Sequence, residues 1–206
     1  MSRSKSSRRW LDRQAHDPFV QRAQAEGWRS RAAFKLLELD AKDRFLKPGA
    51  RVVDLGAAPG GWSQVARKAV GDHGQVVALD VLALEPIPGV AFLQGDFREE
   101  EVLRAFEALV GQAPVDVVIS DMAPNVTGMA AVDQPRAFHL AELALAFATE
   151  HLARGGTLVV KLFQGAGFDG FVAQCREQFA RVALRKPAAS RPESREVYLV
   201  ARGFGV

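Results

Sequence analysis

The sequence has little of the residues that build disulfide frameworks and metal centres. Its 206 residues include a single cysteine, Cys175, which excludes an intramolecular disulfide and is expected to pack inside a helical segment. The four histidines are scattered without the spacing of metal ligands, so no metal centre is predicted. They are His16, His73, His139 and His151.

Long apolar runs are also absent. No stretch approaches the ~18 apolar residues needed to span a bilayer. The basic residues 1–10 are not followed by the apolar segment of a secretory signal. We therefore expect a cytosolic protein without a membrane partner. Hydrophobic residues still make up 48% of the chain, which is enough for one domain with a substantial core.

The positive charge is concentrated at the two ends of the chain. The overall net charge of +3 consists of +6 over residues 1–35 (nine basic, three acidic), −7 over 36–180 (twelve, nineteen) and +4 over 181–206 (six, two). This asymmetry favours nucleic acid as a partner over a basic tail that only aids solubility. Residues 1–28 are predicted to form a basic, partly disordered extension, and 29–206 a single domain.

Strand and helix patterns alternate from residue 30 onward. Helices are predicted over 30–45 (with Ser30 as N-cap), 61–70, 98–110, 134–153 and 168–179. Strands are predicted over 51–55, 75–80, 90–93, 115–120, 157–162, 181–186 and 196–202. This order predicts an α/β fold with a doubly wound, Rossmann-like sheet. The sheet should be mostly parallel with one antiparallel C-terminal strand, because no helix separates the last two strands.

Charged residues fall at or near the ends of four predicted strands. They are Asp54, Asp80, Asp121 and Lys161. Ligands of doubly wound sheets bind beyond the carboxyl ends of the strands, so the pattern favours one shared site. Lys161 follows the apolar run TLVV and either turns to solvent or acts as a catalytic group whose proton affinity depends on burial and neighbouring charges.

The turn after the first strand reads DLGAAPGGW (54–62). Its glycines permit tight turning and close approach of a ligand to the backbone; they are Gly56, Gly60 and Gly61. The spacing differs from that of dinucleotide-binding turns and P-loops, which disfavours a nicotinamide oxidoreductase. Asp80 could accept hydrogen bonds from ribose hydroxyls, which favours an adenosine-containing ligand. Asp96 could face the adenine edge or cap the next helix.

Five further segments complete a family pattern along the chain. They are RSRAAFKL (29–36), FLQGDF (92–97), SDMAPN (120–125), VVKLFQG (159–165) and SREVY (194–198). With the glycine turn, they resemble the FtsJ/RrmJ family of RNA ribose 2′-O-methyltransferases, most closely its bacterial members that act on a uridine of large-subunit rRNA. The resemblance implies a class I methyltransferase fold and S-adenosyl-L-methionine as cofactor, with no metal. It implies large-subunit rRNA in the 50S subunit as partner.

The resemblance also implies a catalytic tetrad of Lys35, Asp121, Lys161 and Glu196. We expect Lys161 to take a proton while Asp121 orients it, and Lys35 and Glu196 to position the ribose and its phosphate. With the glycine turn, the predicted cofactor contacts are Asp54, Gly56, Gly60, Gly61, Trp62, Asp80, Asp96 and Asp121.

Several expectations about the RNA side stay open at the level of sequence. A basic surface around the reactive lysines is expected from Arg29, Arg31, Lys35, Arg191 and Arg195. The same chemistry on tRNA or an mRNA cap is an alternative, as is a non-catalytic ribosome-assembly factor that keeps the fold. Nothing in the sequence requires an oligomer, so a monomer is expected.

Overall fold

The structure, a computed structural model, describes residues 17–124 and 129–206. Its strands are β1 (Arg51–Leu55), β2 (Gln75–Asp80), β3 (Val90–Gln94), β4 (Val115–Ser120), β5 (Leu152–Phe163), β6 (Phe179–Arg185) and β7 (Glu196–Phe204). Its helices are α1 (Pro18–Glu26), α2 (Ala32–Asp43), α3 (Gly61–Val70), α4 (Glu100–Val110), α5 (Ala130–His151) and α6 (Phe168–Gln178). Residues 1–16 of the predicted extension, including His16, and Asn125 of SDMAPN lie outside the described residues.

The described strands form one sheet in the order β3-β2-β1-β4-β5-β7-β6. The pairs from β3 to β5 are parallel, whereas β7 runs antiparallel to both of its neighbours, β5 and β6. The chain winds outward from β1 to β3 and then returns to add β4 on the other side of β1. The predicted doubly wound sheet with one antiparallel strand is therefore confirmed, and its switch point lies between β1 and β4.

Each face of the sheet has its own hydrophobic core, because side chains alternate between the two faces along a strand. On one face, Val52 and Val76 pack with residues of α2 and α3, among them Leu36. On the other face, Val53 packs with residues of α4, α5 and α6, among them Phe106. Helices α2 and α3 therefore cover one face of the sheet, and α4, α5 and α6 cover the other.

Helix α1 lies within the segment that composition assigned to a partly disordered extension, and the sequence analysis did not predict it. The Asp17 side chain accepts a hydrogen bond from the Phe19 N–H at 3.0 Å, and Pro18 occupies the first turn. Gly27 ends the helix in the left-handed conformation. The ring centroids of Phe19 and Phe34 lie 5.7 Å apart, so α1 packs against α2 through this aromatic pair.

Several element boundaries differ from the sequence prediction by a few residues, and the starts of α2 and β5 are two of them. Ser30 is not a side-chain cap: α2 begins at Ala32, and the buried Ser30 hydroxyl has no hydrogen-bond partner among the described residues. Strand β5 begins at Leu152, where a helix was predicted. Leu152 pairs with Val115, and the register then shifts before the regular ladder with β4 resumes at Thr157. Backbone pairing across the sheet thus extends the strand beyond its apolar run.

Among the described residues, no helix is long and apolar enough to cross a membrane.

Candidate active site

The candidate active site lies at the carboxyl edge of the parallel strands. Asp54 is one residue before the end of β1, Asp121 directly follows β4, and Lys161 is two residues before the end of β5. Because β7 runs in the opposite direction, its first residue, Glu196, reaches the same edge. Lys35 approaches from α2. The structure therefore brings together the four residues of the predicted tetrad from four separate elements.

Two ion pairs form the centre of this cluster. Lys35 Nζ lies 2.7 Å from Glu196 Oε1, and Lys161 Nζ lies 3.1 Å from Asp121 Oδ1. Lys161 also donates to the Asp121 main-chain carbonyl at 2.6 Å. The four side chains are between 8% and 19% exposed, so they are shielded from bulk water and still open to a substrate. Their two positive and two negative charges compensate each other, which offsets part of the cost of desolvation.

Tyr198, the only tyrosine of the chain, joins the two ion pairs. Its hydroxyl donates to Asp121 Oδ1 at 2.9 Å and accepts from Lys35 Nζ at 3.1 Å. Burial, reinforced by the carboxylates of Asp121 and Glu196, holds the pKa of this phenol well above its ordinary value of 10.0. Tyr198 therefore stays a neutral hydrogen-bond donor near neutral pH, and the five groups form one connected network.

The sequence analysis did not single out Tyr198, although SREVY contains it. Tyr198 faces Lys161 across the β5–β7 ladder and packs against Trp62 at 5.6 Å between ring centroids. Glu196 and Tyr198 are two residues apart on one strand, so both side chains lie on the same face of the sheet. That spacing is the signal by which a sequence could identify the tyrosine.

The glycine turn between β1 and α3 is packed too tightly for side chains. Gly56 has a φ of +79°, and a Cβ atom added there would lie 2.7 Å from Met122 Cγ. Gly60 has a φ of +111°, and an added Cβ would lie 2.9 to 3.0 Å from three neighbouring side chains. At Gly61, an added Cβ would lie 2.5 Å from Ser30 Oγ. The turn thus holds bare backbone beside the amino end of α3, where partial positive charge favours an anionic group.

Asp54 is a buried carboxyl group with one unsatisfied oxygen. The Ser63 hydroxyl donates to Oδ2 at 2.6 Å, whereas the buried Oδ1 has no hydrogen-bond partner among the described residues. Burial raises the pKa of Asp54 to about 7; the Ser63 hydrogen bond opposes this rise, and Asp121 and Asp80 add to it. A buried acceptor without a donor is the kind of group that a bound ligand satisfies.

Asp80 and Asp96 are held by hydrogen bonds of their own. Asp80 accepts from the N–H groups of Ala58 and Leu82, each at 2.8 Å, and so fixes the glycine turn against the end of β2. Asp96 accepts from the Arg98 N–H at 3.0 Å and pairs with its guanidinium at 2.6 Å. These bonds to Arg98 lower the pKa of Asp96. Asp96 therefore stabilises the turn that leads into α4, and its contact with a ligand stays a prediction.

The side chain of Trp62 points into the core. It is 3% exposed, and its indole N–H donates to the Ala32 carbonyl at 2.8 Å. A ligand contact at this position would therefore involve the main chain in the first turn of α3.

Two of the predicted RNA-binding arginines act as structural clamps. Arg29 donates to main-chain carbonyls of the segment that follows β2. Arg31 pairs with Asp17 of the α1 cap and donates to the Ala189 carbonyl. The guanidinium groups of both residues are held by protein atoms, and their part in one basic surface stays a prediction. Arg195 is exposed.

One histidine does meet acidic groups in the folded chain. The potential ligand atoms of Glu107, Glu150 and His151 lie within 4.8 Å of one another, away from the tetrad. His151 Nε2 is 3.1 Å from Glu107 Oε1, and its ring packs at 4.2 Å against Phe147. The packing of α4 against α5 accounts for this cluster.

The fold and site together define a class of protein. A doubly wound sheet with an antiparallel β7 between β5 and β6 is combined with a glycine turn after β1 and an acid at the end of β2. This arrangement is that of a Rossmann-like methyltransferase. The chain belongs to the FtsJ-like methyltransferase family, whose model matches residues 28–204. The family predicted from the sequence motifs is therefore confirmed.

Individual relatives agree with this membership. "Ribosomal RNA large subunit methyltransferase E" of Xanthomonas campestris pv. campestris (strain B100) is 61% identical over 202 residues, which cover 98% of this chain and 96% of the relative. The protein of the same name from Stenotrophomonas maltophilia (strain K279a) is 60% identical with the same coverage. The crystal structure of a ribosomal RNA methyltransferase from Plasmodium falciparum matches with a TM-score of 0.77 and 29% identity, over 86% of this chain and 98% of that one.

Proposed function

We propose that this protein transfers a methyl group from S-adenosyl-L-methionine to the 2′-hydroxyl of a uridine ribose in large-subunit (23S) rRNA, within the assembled 50S subunit. The observation that carries the proposal is the network of two lysines and two acids, joined by Tyr198, beside the glycine turn. Relatives that are 60–61% identical bear names that specify large-subunit ribosomal RNA, and they support the choice of substrate. A cytoplasmic, monomeric enzyme that needs no metal is part of the same proposal.

The residues around the glycine turn fit the cofactor. The cofactor supplies a methyl group that its sulfonium charge has already activated. The main chain at Gly56, Gly60, Gly61 and Trp62 would hold it, and the three glycines give this turn a tight backbone path that a Cβ atom would obstruct. The acidic residues of this edge suit a positively charged ligand, and Asp54 offers an oxygen without a donor. The acids assigned to the cofactor are Asp54, Asp80, Asp96 and Asp121.

A proton must leave the ribose hydroxyl, and Lys161 is the group we assign to accept it. In this role Nζ of Lys161 accepts the proton, and it lies 3.1 Å from Asp121 Oδ1 and 2.6 Å from the Asp121 carbonyl oxygen. Asp121 holds the amine at a fixed position through both its carboxylate and its carbonyl, and Tyr198 holds the carboxylate in turn. A general base placed in this way accelerates a reaction by typically 10²–10⁴-fold.

The second pair, Lys35 and Glu196, would position the RNA. Lys35 carries a positive charge that attracts a phosphate, and Glu196 can accept a hydrogen bond from a ribose hydroxyl. Both side chains are 12% exposed, and Lys35 is linked to Asp121 by two hydrogen bonds through the Tyr198 hydroxyl. When the ribose is held next to the proton acceptor, the reacting groups are already oriented, and this lowers the activation free energy of methyl transfer by several kcal/mol.

The test is methyl transfer from labelled S-adenosyl-L-methionine into 50S subunits, free 23S rRNA and tRNA. We expect label in a ribose 2′-oxygen of 50S subunits. The loss for Lys161→Met should be about 100-fold or more, with unchanged binding of S-adenosylhomocysteine. Lys161→Arg should lose a similar factor, because arginine does not deprotonate. Lys42→Met is the matched control, since Lys42 is an exposed lysine of α2 outside the cluster.

Each contrary outcome contradicts a different part of the proposal. If label enters only tRNA, the protein is a methyltransferase as proposed, but its substrate is tRNA and not large-subunit rRNA. Near-normal turnover by the Lys161→Arg variant would contradict the assignment of Lys161 as the general base. Tight binding of S-adenosylhomocysteine without label in any RNA would favour a ribosome-assembly factor.

A further inference from the structure

A second recessed surface lies at the opposite edge of the sheet from the tetrad. This basal pocket has a volume of about 380 Å³, and its charged and hydroxyl-bearing lining residues are Arg44, Lys47, Asp116, Thr157 and Arg202. It lies where β1 and β4 begin and where β7 approaches its end. The volume falls in the range of about 300–1,000 Å³ that is typical of small-ligand sites. The proposed methyl transfer makes no use of this pocket.

Two separate parts of the fold bring positive charge to the basal pocket. Arg44 directly follows α2 in the left-handed conformation, with a φ of 52°. Lys47 lies in the segment between α2 and β1. Arg202 is paired with Thr157 in the β5–β7 ladder. Arg202 is distant in sequence from Arg44 and Lys47, so its proximity to them is a product of the folded chain.

These cations have few partners within the protein. The side chains of Arg44 and Lys47 make no ion pair or hydrogen bond with any residue in the described ranges. Arg202 donates one hydrogen bond, at 2.7 Å, to the main-chain carbonyl of Asp43. The Asp43 carboxylate is already bound by Arg185 at 2.9 Å, so it does not neutralise the pocket. This contrasts with the clamp arginines at the catalytic edge, whose guanidinium groups are occupied.

Asp116 is the one acidic residue among those that line the pocket. Its Oδ2 atom accepts a hydrogen bond from the Arg51 main-chain N–H at 2.8 Å, which fixes the start of β1 against β4. Three positive charges against one negative charge leave the lining with a net charge of +2. A concave surface of one sign attracts ions of the other sign.

We propose that the basal pocket binds a phosphate group. Arginine guanidinium groups match the oxygens of a phosphate, and lysine adds a compact charge. The phosphate could belong to the backbone of the RNA substrate, which rests on the proposed function, or to a free nucleotide, which does not. Thr157 and Lys161 are four residues apart, or about 13 Å along β5. An RNA with a phosphate every few ångströms could contact both edges of the sheet, whereas a nucleotide in the pocket would leave the tetrad free.

Two substitutions of opposite sign test the proposal on the full-length chain. Arg44→Gln combined with Lys47→Gln removes two positive charges, while Asp116→Asn removes the negative charge and keeps an oxygen for the Arg51 N–H. The matched control combines Arg104→Gln with Arg176→Gln, which removes two charges from exposed positions of α4 and α6. The probes are inorganic pyrophosphate, titrated calorimetrically, and a fragment of large-subunit rRNA, titrated at several salt concentrations. S-adenosylhomocysteine binding and the unfolding midpoint check that each variant is folded.

The Arg44/Lys47 variant should bind pyrophosphate about fivefold more weakly or worse, and Asp116→Asn about twofold to fivefold more tightly, because exposed ion contacts contribute modestly. If RNA is the source, the Arg44/Lys47 variant should also lower the slope of log affinity against log salt by about one per lost contact. A pyrophosphate effect without an RNA effect supports the free-nucleotide source.

Equal binding of both probes by the Arg44/Lys47 variant and the control variant overturns the proposal. These binding measurements do not require turnover. If the wild-type protein does not methylate RNA but the variants change pyrophosphate affinity as expected, the proposed function is contradicted and the phosphate site is supported.

Discussion

An Asp54→Asn substitution should remove a pH-dependent destabilisation of the folded protein. Asp54 is fully buried, and its pKa is raised from an ordinary 3.8 to about 7. Between about pH 4 and pH 7, the folded protein therefore holds a proton that the unfolded chain has released. The free energy of unfolding falls with rising pH wherever the folded state binds more protons than the unfolded state. Asp54 therefore destabilises the folded protein least below pH 4 and most above pH 7.

The size of the effect follows from the gap between the two pKa values. About three pKa units at roughly 1.4 kcal/mol each correspond to about 4 kcal/mol. Asparagine does not titrate, so the stability of Asp54→Asn relative to wild type should rise by up to about 4 kcal/mol from pH 4 to pH 8. An amide N–H at the position of Oδ1 would lack an acceptor and cost about 1–3 kcal/mol. That offset is the same at every pH and does not affect the slope.

The assay is urea unfolding of both proteins at closely spaced pH values, with the free energy of unfolding extrapolated linearly to water. Asp72→Asn serves as the control, because the Asp72 side chain is 96% exposed and its removal should leave the pH profile nearly parallel to that of wild type. A constant difference between Asp54→Asn and wild type from pH 4 to pH 8 would refute the assignment of a raised pKa to Asp54.

Two other predictions concern the hydroxyl and ion-pair networks. Tyr198→Phe should lower kcat for methyl transfer about 10-fold or more, because it removes the hydrogen-bonded link between Asp121 and Lys35. The affinity for S-adenosylhomocysteine should stay unchanged. Equal losses of kcat and of this affinity would indicate a packing defect and contradict the prediction. Arg185→Met should destabilise the protein by about 3 kcal/mol in urea unfolding, since it leaves the Asp43 side chain, 4% exposed, without its partner. Arg104→Met should cost less than about 1 kcal/mol, because its pair with Glu100 is exposed, and equal costs would contradict the argument.

The carboxyl edge of the sheet could be predicted because it depends on local patterns. Apolar runs identify strands, alternation with helices makes them parallel, and parallel strands end at one edge. Asp54, Asp121 and Lys161 therefore had to lie near one another once the strands were recognised. The absence of a helix before the last strand predicted that this strand runs antiparallel, whereas Glu196 came from the family motif. Lys35 came from the family motif, since helical periodicity does not tell which edge of the sheet a helix residue reaches.

What escaped prediction depends on partners that are distant in sequence. Composition describes Arg29 and Arg31 as basic, but only the folded chain supplies the carbonyls and the Asp17 carboxylate that occupy them. The motif includes Trp62 among cofactor contacts, yet its indole N–H finds the Ala32 carbonyl across the α2–α3 contact. Tyr198 lies in an apolar strand and looks like a core residue until Lys161 is seen opposite it. Sequence periodicity gives the face that a side chain occupies and not the atom that it meets.

The two ion pairs of the site depend on different parts of the fold. Lys161 and Asp121 are placed by the adjacent strands β5 and β4. Lys35 belongs to α2, and the loop before Glu196 is tied to the same helix, because the Glu38 carboxylate accepts the main-chain N–H of Ala188 at 2.6 Å and that of Ala189 at 3.1 Å.

The Arg31 guanidinium adds a further bond from α2 to the Ala189 carbonyl in that loop. Hydrogen bonds to charged groups contribute about 1.5–3 kcal/mol each, so the loop is strongly coupled to the helix. Glu196 itself is the first residue of β7 and is paired with Phe163 of β5, so a shift of α2 relative to the sheet would disturb its 2.7 Å contact with Lys35. The hydrogen bonds from the loop to α2 and the one from Lys35 to Tyr198 oppose such a shift, and they hold Lys35 beside the three tetrad residues that the sheet positions.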